Sequence, residues 1–309
     1  MSLTDTNTET AKPRPKKSNA GLYIFLLIGV CIGLSECLIP VLDNLWDQWN
    51  LSFPIGFLFE EILLMSSATL TLWIATRVTG RRARPIPLSP PFAPLKGLVM
   101  GIGVGLLYAF VEILVLRPTK MVSGNFRILF SSLFQGSVLV LVLDYAIVAF
   151  WEERMWRGEI LTALREKCRT RYALLISSAG FGLFHLVGGG KSDPFQQALM
   201  GLMFGAVFLL TDSLWAPIGL HFIHNLLIDL REGKPDYHIP APPFHLADHA
   251  SFAIQLFPLK ISSGAFGYFF YMVLEPLLIT SVMLLCWKIK NKRATRLHEE
   301  QRTDLPLST

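Results

Sequence analysis

The sequence predicts an all-α fold: a polytopic transmembrane helical bundle of about eight spans, with both termini in the cytosol. The chain has 309 residues, of which 52% are hydrophobic and only 17% are charged. Its mean hydropathy of +0.46 is too high for an ordinary soluble domain. Several apolar runs approach the length of about 20 residues that a helix needs to cross a bilayer. Together these observations exclude the soluble globular class.

The charged residues report the topology of the bundle. The net charge is +5, but lysine and arginine cluster between apolar runs and at the two ends. The positive-inside rule places such clusters in the cytosol. We therefore expect cytosolic tails, membrane lipids around the bundle, and no nucleic-acid partner. The four cysteines show no CxxC spacing, so we expect neither a disulfide framework nor a cysteine-bound metal.

The first half of the chain alternates polar segments with four predicted spans. Residues 1–20 are polar and basic, which predicts a disordered cytosolic tail. The spans are predicted at about residues 21–42, 53–78, 95–116 and 128–150. In the third span, Gly97, Gly101 and Gly105 recur every four residues. Small residues at that spacing predict a close contact with another helix.

The second half continues the same pattern. Residues 154–171 are rich in arginine and predict an amphipathic cytosolic helix or connector. Spans follow at about residues 172–187, 195–210, 215–230 and 266–289, with a polar loop at about 231–260 and a polar cytosolic tail over 291–309. Residues 21–290 therefore form one transmembrane bundle, without a segment long enough for a separate soluble core.

A charged cluster at the end of the fourth span is the strongest functional signal. Glu153 and Arg157 stand four residues apart and can pair on one helix face, whereas Glu152 points about 100° away. One carboxylate is then neutralised and the other stays available, as a general base for water requires. Charged groups beside lipid are costly and are kept mainly for function. The alternative is a juxtamembrane charge cluster on a solvated helix end.

Two further polar signals lie in apolar helices. His185 ends the fifth span's run Phe181 to His185, and the seventh span places His221 and Asn225 on one face, four residues apart. A single membrane histidine is commonly a hydrogen-bond partner between helices. Three polar clusters on three helices favour a shared site instead.

These residues resemble the motifs of the CAAX prenyl protease and bacteriocin-processing family (CPBP, also called Abi) of intramembrane endopeptidases. The family's motifs are Glu-Glu followed by three residues and Arg, Phe followed by three residues and His, and His followed by three residues and Asn. The matching residues, in this order, are Glu152, Glu153 and Arg157; Phe181 and His185; and His221 and Asn225. The resemblance covers about residues 135–230.

The resemblance implies a role for each of these residues. Glu152 and His185 would position and deprotonate the attacking water. His221 and Asn225 would stabilise the oxyanion of the tetrahedral intermediate, as donors aimed at developing charge do. The supporting residues would be Glu153, Arg157 and Phe181.

The resemblance leaves the need for a metal open. Family members are described both as metalloproteases and as glutamate-dependent enzymes without a catalytic metal. In the first case Glu152, His185 and His221 would bind a divalent ion such as Zn²⁺, for which Glu and His are suitable ligands. In the second case, Glu and His activate the water without a metal.

The resemblance also implies a peptide or protein substrate, with a membrane-attached or prenylated CAAX-type C-terminus as the candidate. We expect a multi-pass integral membrane protein, which a bacterial host would carry in its inner membrane. Two other functions stay open. One is a non-enzymatic membrane immunity or scaffold protein, and the other is a proton-coupled small-solute transporter that uses scattered intramembrane acids.

Other intramembrane acids compete with the charged cluster. Glu60 and Glu61 imitate its carboxylate pair, but Met65 stands where the matching arginine would be, so we expect this pair to lie outside catalysis. The remaining acids are expected to form hydrogen bonds between helices in the bundle interior. They are Glu36, Glu112, Asp144 and Glu275.

Depth in the membrane constrains the proposed site. At about 1.5 Å of rise per residue, Glu152 and His221 lie roughly 10 Å from the cytosolic edge, but His185 lies about 20 Å from Arg171. The groups meet only if the fifth helix starts below the interface, tilts or is broken. We predict that they do meet.

Overall fold

The computed structural model describes residues 19–49, 53–84, 93–116, 136–187, 193–232, 253–256, 259–262 and 273–303. Nearly all of the predicted N-terminal tail and the last six residues, 304–309, lie outside these ranges, as do most of the predicted polar loop and the start of the predicted eighth span. The described residues are almost entirely helical, which confirms the predicted all-α class.

The helices follow the predicted spans closely. They are α1 (Ala20–Trp49), α2 (Phe53–Thr79), α3 (Ala93–Leu116), α4 (Gly136–Glu153), α5 (Thr162–Arg165), α6 (Thr170–Phe184), α7 (Pro194–Thr211), α8 (Trp215–Glu232) and α9 (Glu275–Thr303). By length and apolar composition, four described helices are able to cross a membrane, namely α1, α2, α3 and α7. The count of eight spans and the cytosolic position of both termini stay predictions.

The structure differs from the prediction in three places. The connector after α4 is not a solvated amphipathic segment but a π-helix (Arg154–Leu161), in which every residue after Arg154 is buried. A short antiparallel hairpin, β1 (Ala253–Leu256) with β2 (Leu259–Ser262), lies around the end of the predicted polar loop. The last helix α9 continues to Thr303, through most of the predicted polar tail.

Helix α4 lies at the centre of the packing that forms the site. It contacts α2 on one side and α8 on the other, and α8 also packs along α3 and α7. Helix α7 packs in turn against α6 and α9. Because α4, α6 and α8 carry the three polar motifs, this arrangement brings the motifs together.

The predicted glycine contact joins α3 to α8. A Cβ atom added at Gly101 would meet the backbone of Ala216 and Leu220, and one added at Gly219 would meet the backbone of Leu98 and Ile102. The two backbones therefore touch directly, as small residues allow in membrane helices. This confirms the contact predicted from the glycine spacing of the third span.

The buried carboxylate of Glu159, in the π-helix, bonds to the start of α1 and to the segment after α2, which are predicted to face the cytosol. We call these contacts the Glu159 network. The Tyr23 hydroxyl donates to Glu159 Oε2 at 2.7 Å, and the Arg84 backbone N–H donates to Glu159 Oε1 at 3.0 Å. Arg154 forms an ion pair with the same Oε1 at 2.6 Å. One side chain thus joins three segments that are distant in sequence.

Replacing Gly101 by alanine should destabilise the bundle, because the added methyl group meets backbone atoms that cannot rotate away. Overpacking of this kind costs about 1–3 kcal/mol. We expect a lower midpoint of thermal unfolding in detergent. Gly103→Ala is the matched control, because a Cβ atom there has nothing within 4 Å. Equal stability of the two variants would contradict a tight contact between α3 and α8.

Candidate active site

The predicted pair of Glu153 and Arg157 forms a buried ion pair at the start of the π-helix. Arg157 donates to Glu153 Oε1 at 2.9 Å, and the two side chains are only 2% and 0% exposed. The second guanidinium nitrogen donates to the Gly201 carbonyl of α7 at 3.0 Å. The cation is also 4.5 Å from the ring centroid of Phe181, a favourable cation–π distance. Arg157 thus contacts three helices: α4 through Glu153, α7 through the Gly201 carbonyl and α6 through the Phe181 ring.

His221 of α8 is oriented by this ion pair. Its Nδ1 lies 3.0 Å from Glu153 Oε1, and its ring stacks on Phe204 with centroids 4.6 Å apart. Because the Glu153 oxygen also accepts from Arg157, it acts as an acceptor, so Nδ1 carries the proton. The other ring nitrogen, Nε2, lies 3.9 Å from Glu152 Oε2. His221 therefore links the ion pair to the second carboxylate.

Glu152 is the carboxylate that stays available. It is 7% exposed, and among the described residues its Oε2 has no hydrogen-bond partner. Buried polar atoms without a partner are rare in native proteins. The free oxygen is therefore suited to bind water or a substrate group.

His185 lies just past the end of α6. The helix ends at Phe184, and His185 Nδ1 donates to the Phe181 carbonyl at 2.8 Å. A carbonyl can only accept, so Nδ1 carries the proton and Nε2 keeps its lone pair. The predicted fifth span is thus interrupted at its histidine, and a side chain in a turn is less restricted in direction than one in a helix.

One cavity of about 160 Å³ brings the two predicted water-activating residues together. Glu152 and His185 both line it, together with Glu36, Glu60 and Glu61. The sequence reading placed Glu60 and Glu61 outside catalysis, whereas the structure places both on the wall of the same cavity. Glu61 is only 6% exposed. No local pattern marks this position, because its neighbours in the cavity come from other helices.

The remaining predicted residues lie around this centre. Asn225 is half-buried one turn beyond His221 in α8. His224 is buried with its ring edge toward Tyr108, away from the cavity's lining residues. Of the other acids, Asp144 is fully buried as expected, but Glu36 is exposed where it lines the cavity. The side chains of Glu112 and Glu275 lie outside the described part of the structure.

The described residues do not form a ready metal site. Within the described ranges, no three His, Cys, Asp or Glu side chains are grouped closely enough to hold an ion. Glu152 and His221 approach each other, but a zinc site needs at least three protein ligands. The predicted Glu152, His185 and His221 ligand set therefore stays a prediction, and the chemistry below is derived from the side chains alone.

Comparison with known proteins agrees with this geometry. Residues 134–227 match the model of a family described as type II CAAX prenyl endopeptidase, Rce1-like. This region of the chain resembles the CAAX prenyl endopeptidases. The resemblance predicted from the motifs is thereby confirmed, and the matched region contains all three motifs, from Glu152 to Asn225.

A second match points the same way. The chain is 28% identical over 101 residues to a Bacillus subtilis (strain 168) protein named "Putative membrane peptidase YdiL". The match covers 33% of this chain and 40% of that relative. No solved structure matches. With its membrane-spanning helices and its CAAX endopeptidase-like region, the protein is an integral membrane protein.

Replacing Arg157 by methionine should destabilise the CAAX endopeptidase-like region strongly. The change leaves the Glu153 carboxylate buried without a cation, and breaking a buried pair in this way costs about 3–5 kcal/mol. Arg165→Met, at an exposed position of α5, is the control. Thermal unfolding in detergent measures both. If Arg157→Met is as stable as Arg165→Met, the ion pair does not hold the site together.

Proposed function

We propose that the protein is an integral membrane endopeptidase that hydrolyses a peptide bond of a membrane-associated peptide or protein. The observation that carries the proposal is the buried Glu152 carboxylate, whose Oε2 has no hydrogen bond among the described residues, at the cavity that His185 also lines. The resemblance to the CAAX prenyl endopeptidases supports a membrane peptidase in general. The identity of the catalytic residues is part of the proposal.

In the proposed reaction, Glu152 is the general base. Its carboxylate accepts a proton from a water molecule in the cavity, and the water oxygen attacks the carbonyl carbon of the substrate. The unprotonated Nε2 of His185 accepts a hydrogen bond from the same water and orients it. A base must reach its proton directly or through one water, and the shared cavity supports this arrangement. The proton then passes from Glu152 to the leaving amine.

His221 and Asn225 are the proposed donors to the oxyanion. Nδ1 of His221 is already bonded to Glu153, so His221 donates to the substrate from Nε2 in its protonated form. The Glu153 carboxylate stabilises that imidazolium, as the carboxylate does in a serine protease triad. The Asn225 amide, one helical turn away, would supply a second donor.

The surroundings of the cavity favour a membrane-attached substrate. On α2, Phe59 and Ile62 flank the cavity-lining glutamates and are 48% and 38% exposed. Beside His185, Leu183 and Leu186 are 60% and 57% exposed. Exposed apolar side chains on membrane helices face lipid, so the cavity lies next to the bilayer interior. A peptide carried by a lipid anchor, including a prenylated CAAX-type C-terminus, would reach the site from there.

Glu152→Gln should lower the rate of peptide cleavage by the purified protein about 10²- to 10⁴-fold, the usual contribution of a general base. His185→Ala should have an effect of similar size. Glu60→Gln is the matched control, because it makes the same chemical change on the wall of the same cavity. A scaffold or immunity protein would keep its function in Glu152→Gln. A transporter would respond more to Glu60→Gln.

In the metal-free form of the proposed reaction, in which Glu152 and His185 activate the water themselves, cleavage should survive treatment with a metal chelator. The measurement is the cleavage rate before and after chelation, followed by addition of Zn²⁺. A loss of activity that Zn²⁺ restores would establish a catalytic metal. Glu152, His185 and His221 would then be its proposed ligands. The mechanism in which side chains alone activate the water would be ruled out.

A further inference from the structure

A contact between Trp151 and Glu61 joins α2 to the site. The Trp151 indole N–H donates to Glu61 Oε2 at 3.2 Å, across 90 residues of sequence. Both residues are buried, at 4% and 6% exposure. A buried indole N–H normally finds an acceptor. Here the acceptor is a carboxylate inside a membrane span, which is a costly choice for a purely structural bond.

Trp151 lies between two cavities. It lines the cavity that holds Glu152 and His185, and it also lines a neighbouring cavity of about 350 Å³. A side chain between two cavities is not fixed by close packing alone. The directional hydrogen bond to Glu61 therefore has a large share in fixing the orientation of the ring.

The orientation of this ring affects both water-activating residues. Trp151 precedes Glu152 in α4, and its ring contacts Phe184, with centroids 6.3 Å apart and planes at 66°. Phe184 in turn precedes His185. The Trp151 to Phe184 contact thus lies between the neighbours of the two residues, and it helps to set the distance between them.

His185 depends on such contacts more than a residue within a helix does. Because α6 ends at Phe184, the His185 backbone N–H bonds to the Gly182 carbonyl three residues back, at 3.2 Å, and not to the carbonyl four residues back as in an α-helix. Phe184 is held by Trp156 as well as by Trp151, with the ring centroids of Phe184 and Trp156 5.8 Å apart. Rotation of Trp151 would remove one of these two supports.

We propose that Glu61 is a positioning residue of the active site, which accepts the Trp151 indole N–H and thereby keeps the Trp151 to Phe184 contact that spaces Glu152 and His185. This inference rests on the proposed function, because Glu61 acts here through other residues on the same hydrolytic reaction. It gives α2 a part in a site whose recognised motifs lie on α4 and the π-helix, at the end of α6, and on α8.

The experiment compares four single variants by kcat and KM. Glu61→Ala and Trp151→Phe each remove the hydrogen bond, and we expect kcat to fall about 10- to 100-fold with KM changed less than about twofold, because misplacement affects the chemical step. Glu61→Gln keeps an oxygen that accepts the N–H, and its kcat should stay within about threefold of wild type. Ser66→Ala is the control and should leave kcat unchanged, because it removes an exposed side-chain hydrogen bond of α2, to the Ile62 carbonyl, at a residue that does not line the cavity.

A double variant tests whether Glu61 and Trp151 act through one shared hydrogen bond or independently of each other. Adding Trp151→Phe to Glu61→Ala should cost little more than either change alone, because both break the same bond. An additive loss would overturn the inference. So would wild-type kinetics in Glu61→Ala, or a Glu61→Gln variant as slow as Glu61→Ala, because the latter would mean that the carboxylate acts through its charge or its proton.

A measurement independent of activity tests the contact itself. The Trp151 indole N–H signal in ¹H–¹⁵N spectra, assigned by its absence in Trp151→Phe, should shift in Glu61→Ala and stay near its wild-type position in Ser66→Ala. An unmoved signal would overturn the inference even if kinetics changed. If wild-type protein cleaves no peptide, the proposed function fails instead, and a shifted signal would still establish the Glu61 contact.

Discussion

The site depends on one buried charge pair, Glu153 with Arg157. In a low-dielectric bundle each partner alone would be strongly unfavourable, and together they are stable only because other groups complete their hydrogen bonds. Those groups are a carbonyl of α7, the ring of His221 and the face of Phe181. The pair therefore selects which faces of α6, α7 and α8 turn toward α4. The same bonds that stabilise the pair orient His221 and leave Glu152 unbonded.

The π-helix connects the Glu153 and Arg157 pair to the Glu159 network. π-helical turns are rare and concentrate at functional sites, and here the π-helix begins directly after the Glu-Glu pair. It carries Arg157 at one point and Glu159 at another, so the site and the Glu159 network share one short segment. The segment after α2, where the Arg84 backbone N–H bonds to Glu159, is therefore in direct contact with the π-helix that carries Arg157.

Much of this could be predicted from the sequence, because the signals were local. Helix positions follow from apolar length, the ion pair follows from a four-residue spacing, and the α3 contact follows from regularly spaced glycines. What the sequence missed depends on partners far along the chain. The role inferred for Glu61 depends on Trp151, and the burial of the π-helix depends on α1 and α6. The hairpin and the extension of α9 were missed because short strands and polar helices carry weak hydropathy signals.

The glycine contact between α3 and α8 limits where the bundle can widen to make room for a ligand. Binding pockets commonly measure about 300–1,000 Å³, more than the roughly 160 Å³ beside Glu152. Helix α8 cannot retreat, because its backbone already abuts that of α3. On α1, a Cβ atom added at Gly29 or Gly33 would have nothing within 4 Å, so no other backbone in the described part of the chain touches that face of α1. If the protein is the proposed peptidase, the room for an extended substrate chain would therefore come from the α1 and α2 wall of the cavity and not from α8.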